Sequence, residues 1–278
     1  MDPFVIRSAL VRFLNEDLGA GDLTSAAIFS PDDIGCATFV VQTPLVAAGF
    51  SSVAAQVFTI VNPAIRTTAV LDATPLAPGD IALTVEGPVL DLLRAERVSL
   101  NLVQRLCGIA TLTAQFVNQV HPLPVKIVDT RKTTPGLRLL EKYAVRVGGG
   151  HNHRFSLSDG VMIKDNHLAA AGSIGRAVDL LRARIPHTLK IEVEADTLEQ
   201  VRDCLACGVD IILLDNMSCE TMRQAVAMNG GRAILEASGG VNLANVRQVA
   251  ETGVDLISIG ALTHSAPASD ISMRLLPA

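Results

Sequence analysis

The chain has 278 residues, nearly half of them apolar, with 5 cysteines and a formal net charge of −5. That length suits one large barrel or two domains, and the apolar fraction can fill a sizeable core. No apolar run approaches the roughly 18 charge-free residues of a membrane span, and the start MDPFVIRSALVRFLNEDLGAGDLTS lacks a signal peptide's cationic and apolar blocks, so a cytoplasmic protein off the membrane is expected.

In chain order, the pattern predicts a helix over Pro3–Asp17. Short β-like runs follow at Cys36–Gln42, Ile65–Leu71 and Asp80–Val85, with turns at Ala77–Asp80 and Glu86–Pro88. This half reads as a small α+β domain. A long helix is expected from about Leu90 to Val120, with Leu93, Val98, Leu102, Leu106 and Ile109 at helical spacing. After His121-Pro122 the texture alternates. Candidate strands are Val125–Val128, Val161–Ile163, Leu189–Val193, Ile211–Leu214, Ala233–Leu235 and Leu256–Ile259. Amphipathic runs at Ile174–Ala183, Leu198–Ala206, Glu220–Met228 and Leu243–Glu251 separate the later ones. That alternation implies a parallel sheet, closed or partly closed into a barrel. Cys204 and Cys207 form a C-x-x-C at the end of a helical run, and no further pair completes a zinc site. They read as thiols of a reducing compartment.

Charge singles out one stretch. Lys126 to His167 holds eight Lys/Arg and four acids, while the remainder carries 15 basic and 24 acidic residues. Cations among glycines and histidines in an acidic protein imply a local anionic ligand rather than a nucleic-acid face. In a barrel, functional groups sit at the carboxyl ends of strands. Those ends here carry Arg131, Lys132 and Lys164 on one side, with Arg154 in a loop nearby, and Glu194, Asp215 and Glu236 on the other. Gly239, Gly240 and Gly260 could let a phosphate approach backbone N–H groups. The carboxylates suit Mg²⁺, which takes few protein oxygens. A lone strand-end acid is more often a helix cap or an ion-pair partner, but two on adjacent strands facing cations favour a site. His151-Asn152-His153 has the form of half a metal site, which the adjoining Arg154 would oppose.

At these residues the chain resembles quinolinate phosphoribosyltransferase, the carboxylating nicotinate-nucleotide pyrophosphorylase family of NAD biosynthesis. The resemblance rests on Asp129–Lys132 with TTPG, Gly148–Arg154, Leu157–Gly160, Lys164–His167, Leu214–Asn216 and Glu236–Gly240. It extends to Glu16–Thr24 and Ala95–Asn101, so it spans nearly the whole chain. It implies an α/β fold: an incomplete (β/α) barrel of seven strands with an N-terminal α+β sandwich domain. The sandwich and linking helix would occupy 1–108 and the catalytic barrel 109–264, with the tail 265–278 a candidate to pack on the sandwich.

The family's reaction joins quinolinate to phosphoribosyl pyrophosphate with Mg²⁺, giving nicotinate mononucleotide, pyrophosphate and CO₂. By matching motifs, Arg131, His153, Arg154 and Lys164 would hold the quinolinate carboxylates, joined by Arg97 from the other subunit of a homodimer with shared sites. A higher oligomer stays open. Lys132 would lie between the two substrates, Glu194 and Asp215 would face the ribose hydroxyls and Mg²⁺, and Ser238, Gly239, Gly240 and Gly260 would cradle the 5′-phosphate. Two other readings compete. One is a phosphoribosyltransferase for another pyridine or azole acid, including the relatives beside molybdate transport genes. The other is a barrel that only binds a metabolite, against which stands the retention of all of these charged residues.

Overall fold

The computed structural model describes residues 2–276. Helices α1 (Pro3–Leu18) and α2 (Leu23–Ile28) precede strands β1 (Ile34–Val41) and β2 (Leu45–Val46). A π-helical turn at Phe50–Ala54 leads into α3 (Ala55–Val61), followed by β3 (Arg66–Ala69), β4 (Pro75–Leu76), β5 (Ile81–Pro88) and the long α4 (Val89–Val120). Then come β6 (Lys126–Val128), α5 (Arg138–Val147), β7 (Val161–Ile163), α6 (Asp165–Ala171), α7 (Ile174–Arg182) and β8 (Ile191–Ala195). The chain continues through α8 (Leu198–Cys207), β9 (Ile211–Asp215), α9 (Cys219–Asn229), β10 (Ile234–Ser238), α10 (Val246–Ala250), β11 (Leu256–Ser258), α11 (Ala261–His264) and β12 (Ile271–Leu275). Two compact units result: residues up to 114 with 134–149 and 265 onward, and residues 115–133 with 150–264.

The first unit is built on an antiparallel sheet of order β12-β1-β5-β3. Phe39 of β1 meets Phe58 of α3 edge to face at 5.9 Å, both fully buried. Such a pair contributes about 1 kcal/mol beyond its buried area. The turn expected at Glu86–Pro88 is instead the end of β5, because Gly87 and Pro88 stay in register with Gly35 and Ile34 of β1. Grouped by packing, the chain divides after 114 rather than at 108/109, and two later segments return to the first unit. Segment 134–149 joins this unit because Glu141 of α5, fully buried, accepts from Arg105 Nη2 at 2.9 Å and Nε at 3.1 Å and from Thr134 N–H at 3.0 Å. Arg105 also donates to Ala266 O at 3.2 Å, and β12 pairs with β1, which brings in the C-terminal segment.

The second unit is a parallel sheet of order β6-β11-β10-β9-β8-β7 with helices between its strands. Its strands read as near-continuous apolar runs, as strands covered on both faces do: Val193, Ile212, Leu214, Ala237 and Ile257 are fully buried. Sidedness is set by the crossover helices. Thr197 caps α8 in a reciprocal box with Gln200, Ser218 caps α9, and Gly208 and Gly230 end these helices. Beyond β6, His151 adds a seventh strand position one residue long: its N–H donates to Ile127 O and its C=O accepts from Asp129 N–H. Among the described residues β7 pairs only with β8, so the barrel is incomplete.

Candidate active site

In a parallel sheet all strands point one way, so the βα loops gather on one face. Thr130–Lys132 follows β6, Lys164 follows β7, Glu194 is next to last in β8, Asp215 and Ser238 end β9 and β10, and Gly260 lies just past β11. Together they surround a cavity of about 790 Å³. Every barrel residue expected in the site lines it: Arg131, Lys132, His153, Arg154, Lys164, Glu194, Asp215, Ser238, Gly239, Gly240 and Gly260. Arg97 is exposed on α4, in the first unit, and does not line this cavity.

The cationic side is an assembled field. Burial, and then the neighbouring charge of Arg131, pull the Arg154 guanidinium below its ordinary pKa. Two guanidiniums this close are a site that an added carboxylate would relieve. Arg154 Nη1 donates to Gly160 O at 2.7 Å, which fixes the reach of the side chain. Of the eight basic residues in the sequence cluster, only Arg131, Lys132, Arg154 and Lys164 line the cavity. Arg138, Lys142 and Arg146 belong to α5 in the first unit.

Beneath the cations lie buried acids. Asp129 is not aimed at a ligand: its Oδ1 accepts from His153 N–H at 2.9 Å and its Oδ2 from Asn152 Nδ2 at 2.6 Å. His153 Nδ1 accepts from Arg154 N–H at 2.8 Å, so the ring proton sits on Nε2, 3.1 Å from Glu192 and 3.7 Å from Glu236. That tautomer is a hydrogen-bond donor to Glu192 and disfavours a metal at Nε2. Burial and the charge of Glu192 push Glu236 up to about 7, against the opposing pull of His153 and Ser258. Its Oε1 has no hydrogen-bond partner among the described residues. Of the three acids expected on the acidic side, Glu236 is therefore buried in the floor rather than presented on the rim.

The acidic side of the cavity consists of the half-buried Glu194 and Asp215, and the exposed Asp196, unforeseen from sequence, stands beside them outside the lining. Their carboxylate oxygens lie within 4.8 Å of one another. Hard oxygen donors at this spacing fit a small divalent cation. Lys164 Nζ holds Glu194 Oε2 at 2.8 Å, joining the two sides. On the third side, Gly239 and Gly240 turn with φ of 92° and 63°. A β-carbon at Gly239 would lie 2.1 Å from Asn216 Oδ1, so only glycine fits, and the turn stays open to a ligand at Gly240. Asn216 and His264 also line the cavity; the sequence names Asn216 only within the Leu214–Asn216 motif, without a role, and does not mark His264. For Asn216 the signal was available, a polar residue directly after a strand-end Asp. For His264, on a single helical turn, there was none.

Comparisons with known proteins agree with this fold. Residues 22–107 match the family model of the quinolinate phosphoribosyl transferase N-terminal domain, and residues 109–274 match that of the C-terminal domain. The chain is 43% identical over 281 residues to a probable nicotinate-nucleotide pyrophosphorylase (carboxylating) of Bacillus subtilis, covering 98% of this chain and 94% of that one. It is 40% identical over 290 residues to the mitochondrial quinolinate phosphoribosyltransferase (decarboxylating) 2 of Nicotiana glauca, covering 97% and 82%. Its fold matches the crystal structure of NadC from Streptococcus pyogenes with a TM-score of 0.96 and 41% identity, over 99% of this chain and 98% of the other. The chain belongs to the quinolinate phosphoribosyl transferase family.

Proposed function

We propose that the protein transfers the phosphoribosyl group of phosphoribosyl pyrophosphate to quinolinate with loss of CO₂, forming nicotinate mononucleotide in NAD biosynthesis. The observation that carries this reading is the three-sided cavity: Arg131, Arg154 and Lys164 face Glu194 and Asp215, with the Gly239-Gly240 turn beside both. A dicarboxylate suits the first side, a ribose the second and a phosphate the third.

Arg131, Arg154 and Lys164 hold the two quinolinate carboxylates and aim the ring nitrogen at the sugar C1. His153, expected among the carboxylate ligands, instead has both ring nitrogens turned to protein groups, where it fixes the Arg154 backbone. Lys132 lies between the substrates and meets the negative charge of the departing pyrophosphate. The carboxylates of Glu194 and Asp215 orient the ribose hydroxyls and favour the positive charge that develops on the ring, as in glycosyl transfer. Ser238, Gly239, Gly240 and Gly260 receive the 5′-phosphate through backbone N–H groups and the serine hydroxyl. Mg²⁺ would be held by Glu194, Asp215 and Asp196, adding positive charge beside the pyrophosphate. The pyridine nitrogen is the nucleophile, so no covalent enzyme intermediate is needed. Once alkylated, the ring accepts the electron pair left when CO₂ departs from C2, and C2 then takes a proton.

Arg97 serves the cavity of a second copy, so the working form is a homodimer, and the protein acts in the cytoplasm. Among the described residues no helix is long and apolar enough to cross a membrane. Incubation with quinolinate, phosphoribosyl pyrophosphate and Mg²⁺ should yield nicotinate mononucleotide and CO₂ in equal amounts. Product from another azole or pyridine acid, with none from quinolinate, would overturn the reading.

A further inference from the structure

We propose that Asn216 is a positioning residue that fastens the Asp215 carboxylate to the Ser238–Gly240 turn, so that the acid of the sugar side and the phosphate-binding backbone are set by one side chain. The proposal rests on the reading above, in which those two elements hold opposite ends of one phosphoribosyl substrate.

Three contacts support it. Asn216 Nδ2 donates to Asp215 Oδ2 at 2.8 Å, which fixes the rotation of that carboxylate. The Asn216 N–H donates to Ser238 O at 2.9 Å, extending the β9–β10 pairing one step beyond its last registered pair, Asp215 with Ser238. The amide oxygen lies 2.1 Å from the position a β-carbon on Gly239 would take, so the side chain is packed against the turn. The backbone of Asn216 bears a cost for this arrangement. Its φ is 52°, and Ala73 is the only other non-glycine residue with positive φ among the described residues. Asparagine tolerates the left-handed region better than most residues. Glycine would hold that backbone with less strain, so a turn needing only the conformation has no call for an amide side chain. Here the amide is the part that touches both functional elements. Asn216 itself lines the cavity but is not assigned to grip substrate.

Two substitutions separate the amide from the backbone. Asn216→Gly keeps the left-handed conformation and removes the side chain. Asn216→Asp keeps the size and tolerates the conformation, but puts an acceptor against Asp215 in place of a donor. Phosphoribosyl pyrophosphate with Mg²⁺, and quinolinate alone, are titrated calorimetrically into each protein, with thermal melting measured in parallel. Both variants should bind the sugar pyrophosphate about tenfold more weakly or worse, the cost of one charge-assisted hydrogen bond. Asn216→Asp should be the weaker of the two. Quinolinate affinity and melting temperature should stay near wild type. Unchanged sugar binding in both variants, or parallel loss of both ligands with a lowered melting temperature, overturns the proposal. Wild-type protein that binds both ligands without turnover overturns the proposed reaction while the variants still decide the role of Asn216. Wild-type protein that binds no phosphoribosyl pyrophosphate overturns both.

Discussion

Lys164 and Glu194 are paired at 2.8 Å across the neighbouring strands β7 and β8, so the cationic and acidic sides of the cavity are joined before any ligand arrives. Both residues are more exposed than the buried acids beneath them, and a ligand on either side can reach the pair. On the proposed assignment, quinolinate takes Lys164 and the sugar takes Glu194. Lys164→Ala and Arg154→Ala should therefore weaken quinolinate binding and leave phosphoribosyl pyrophosphate binding nearly intact. Glu194→Ala and Asp215→Ala should impair the sugar side and spare quinolinate. Calorimetric titration with each ligand alone checks this. Lost sugar binding with normal quinolinate binding in Lys164→Ala would reverse the assignment.

Substrate choice follows from the same charges. Nicotinate lacks the 2-carboxylate and would leave partly buried cations without a counter-charge, a penalty of roughly 2–5 kcal/mol. Discrimination against nicotinate should reach about a hundredfold in kcat/KM. Comparable values for the two acids would refute this account of Arg131, Arg154 and Lys164.

Gly260 is the floor against which Lys132 lies. A β-carbon there would sit 2.9 Å from Lys132 Cδ and 3.2 Å from the His264 ring. The lysine stem is flexible enough to step aside, so Gly260→Ala should change the melting temperature little. It should still lower turnover by about tenfold or more, because a displaced lysine no longer meets the charge of the leaving pyrophosphate. Normal turnover would mean that the position of Lys132 does not depend on the space at Gly260.

The β/α alternation was legible because parallel strands are buried on both faces and read as short apolar words, and each word at the barrel rim ended in a polar residue or glycine. The seventh strand position was not, since a single bridge at His151 leaves no hydrophobic period to see. The charge cluster pointed to the right loop for partly the wrong reason. Arg138, Lys142 and Arg146 were counted with it, yet they lie on α5, whose first-unit packing depends on a buried ion pair 36 residues apart in sequence, Arg105 with Glu141. Asp196 escaped notice because acids after a strand commonly cap helices, and here the capping residue is the next one, Thr197. C-terminal strand β12 pairs with β1 from the far end of the chain, a contact no local pattern encodes.

Glu236 gives a pH signature. With its carboxyl raised from 4.5 to about 7, the folded protein binds more protons than the unfolded chain between those values. Stability should therefore fall as pH rises through that window, and the full penalty stands above about pH 7. Glu236→Gln removes the buried charge and offers an amide N–H to Glu192. The variant should be more stable than wild type at pH 8, by up to about 3 kcal/mol at 1.36 kcal/mol per unit. The difference should shrink towards pH 5, where the wild-type acid is already neutral. Denaturant melts at the two pH values measure it, and a gap that widens on acidification would contradict the assigned ionisation.

Arg97 is the one expected site residue outside the cavity, exposed on α4 among the residues of the first unit. If it completes the cavity of a second copy, Arg97→Ala and Lys164→Ala each inactivate both sites of their own homodimer. Mixed through reversible dissociation, the two variants should form hybrids as about half of all dimers, and two-fold symmetry makes the sites composite. Each hybrid then holds one doubly defective site and one intact site, because Arg97 from one chain and Lys164 from the other meet in the same cavity. Activity should return to roughly a quarter of wild type. Hybrids confirmed by native mass spectrometry but without activity would mean that Arg97 serves its own chain, and an active Arg97→Ala homodimer would mean that it serves no site.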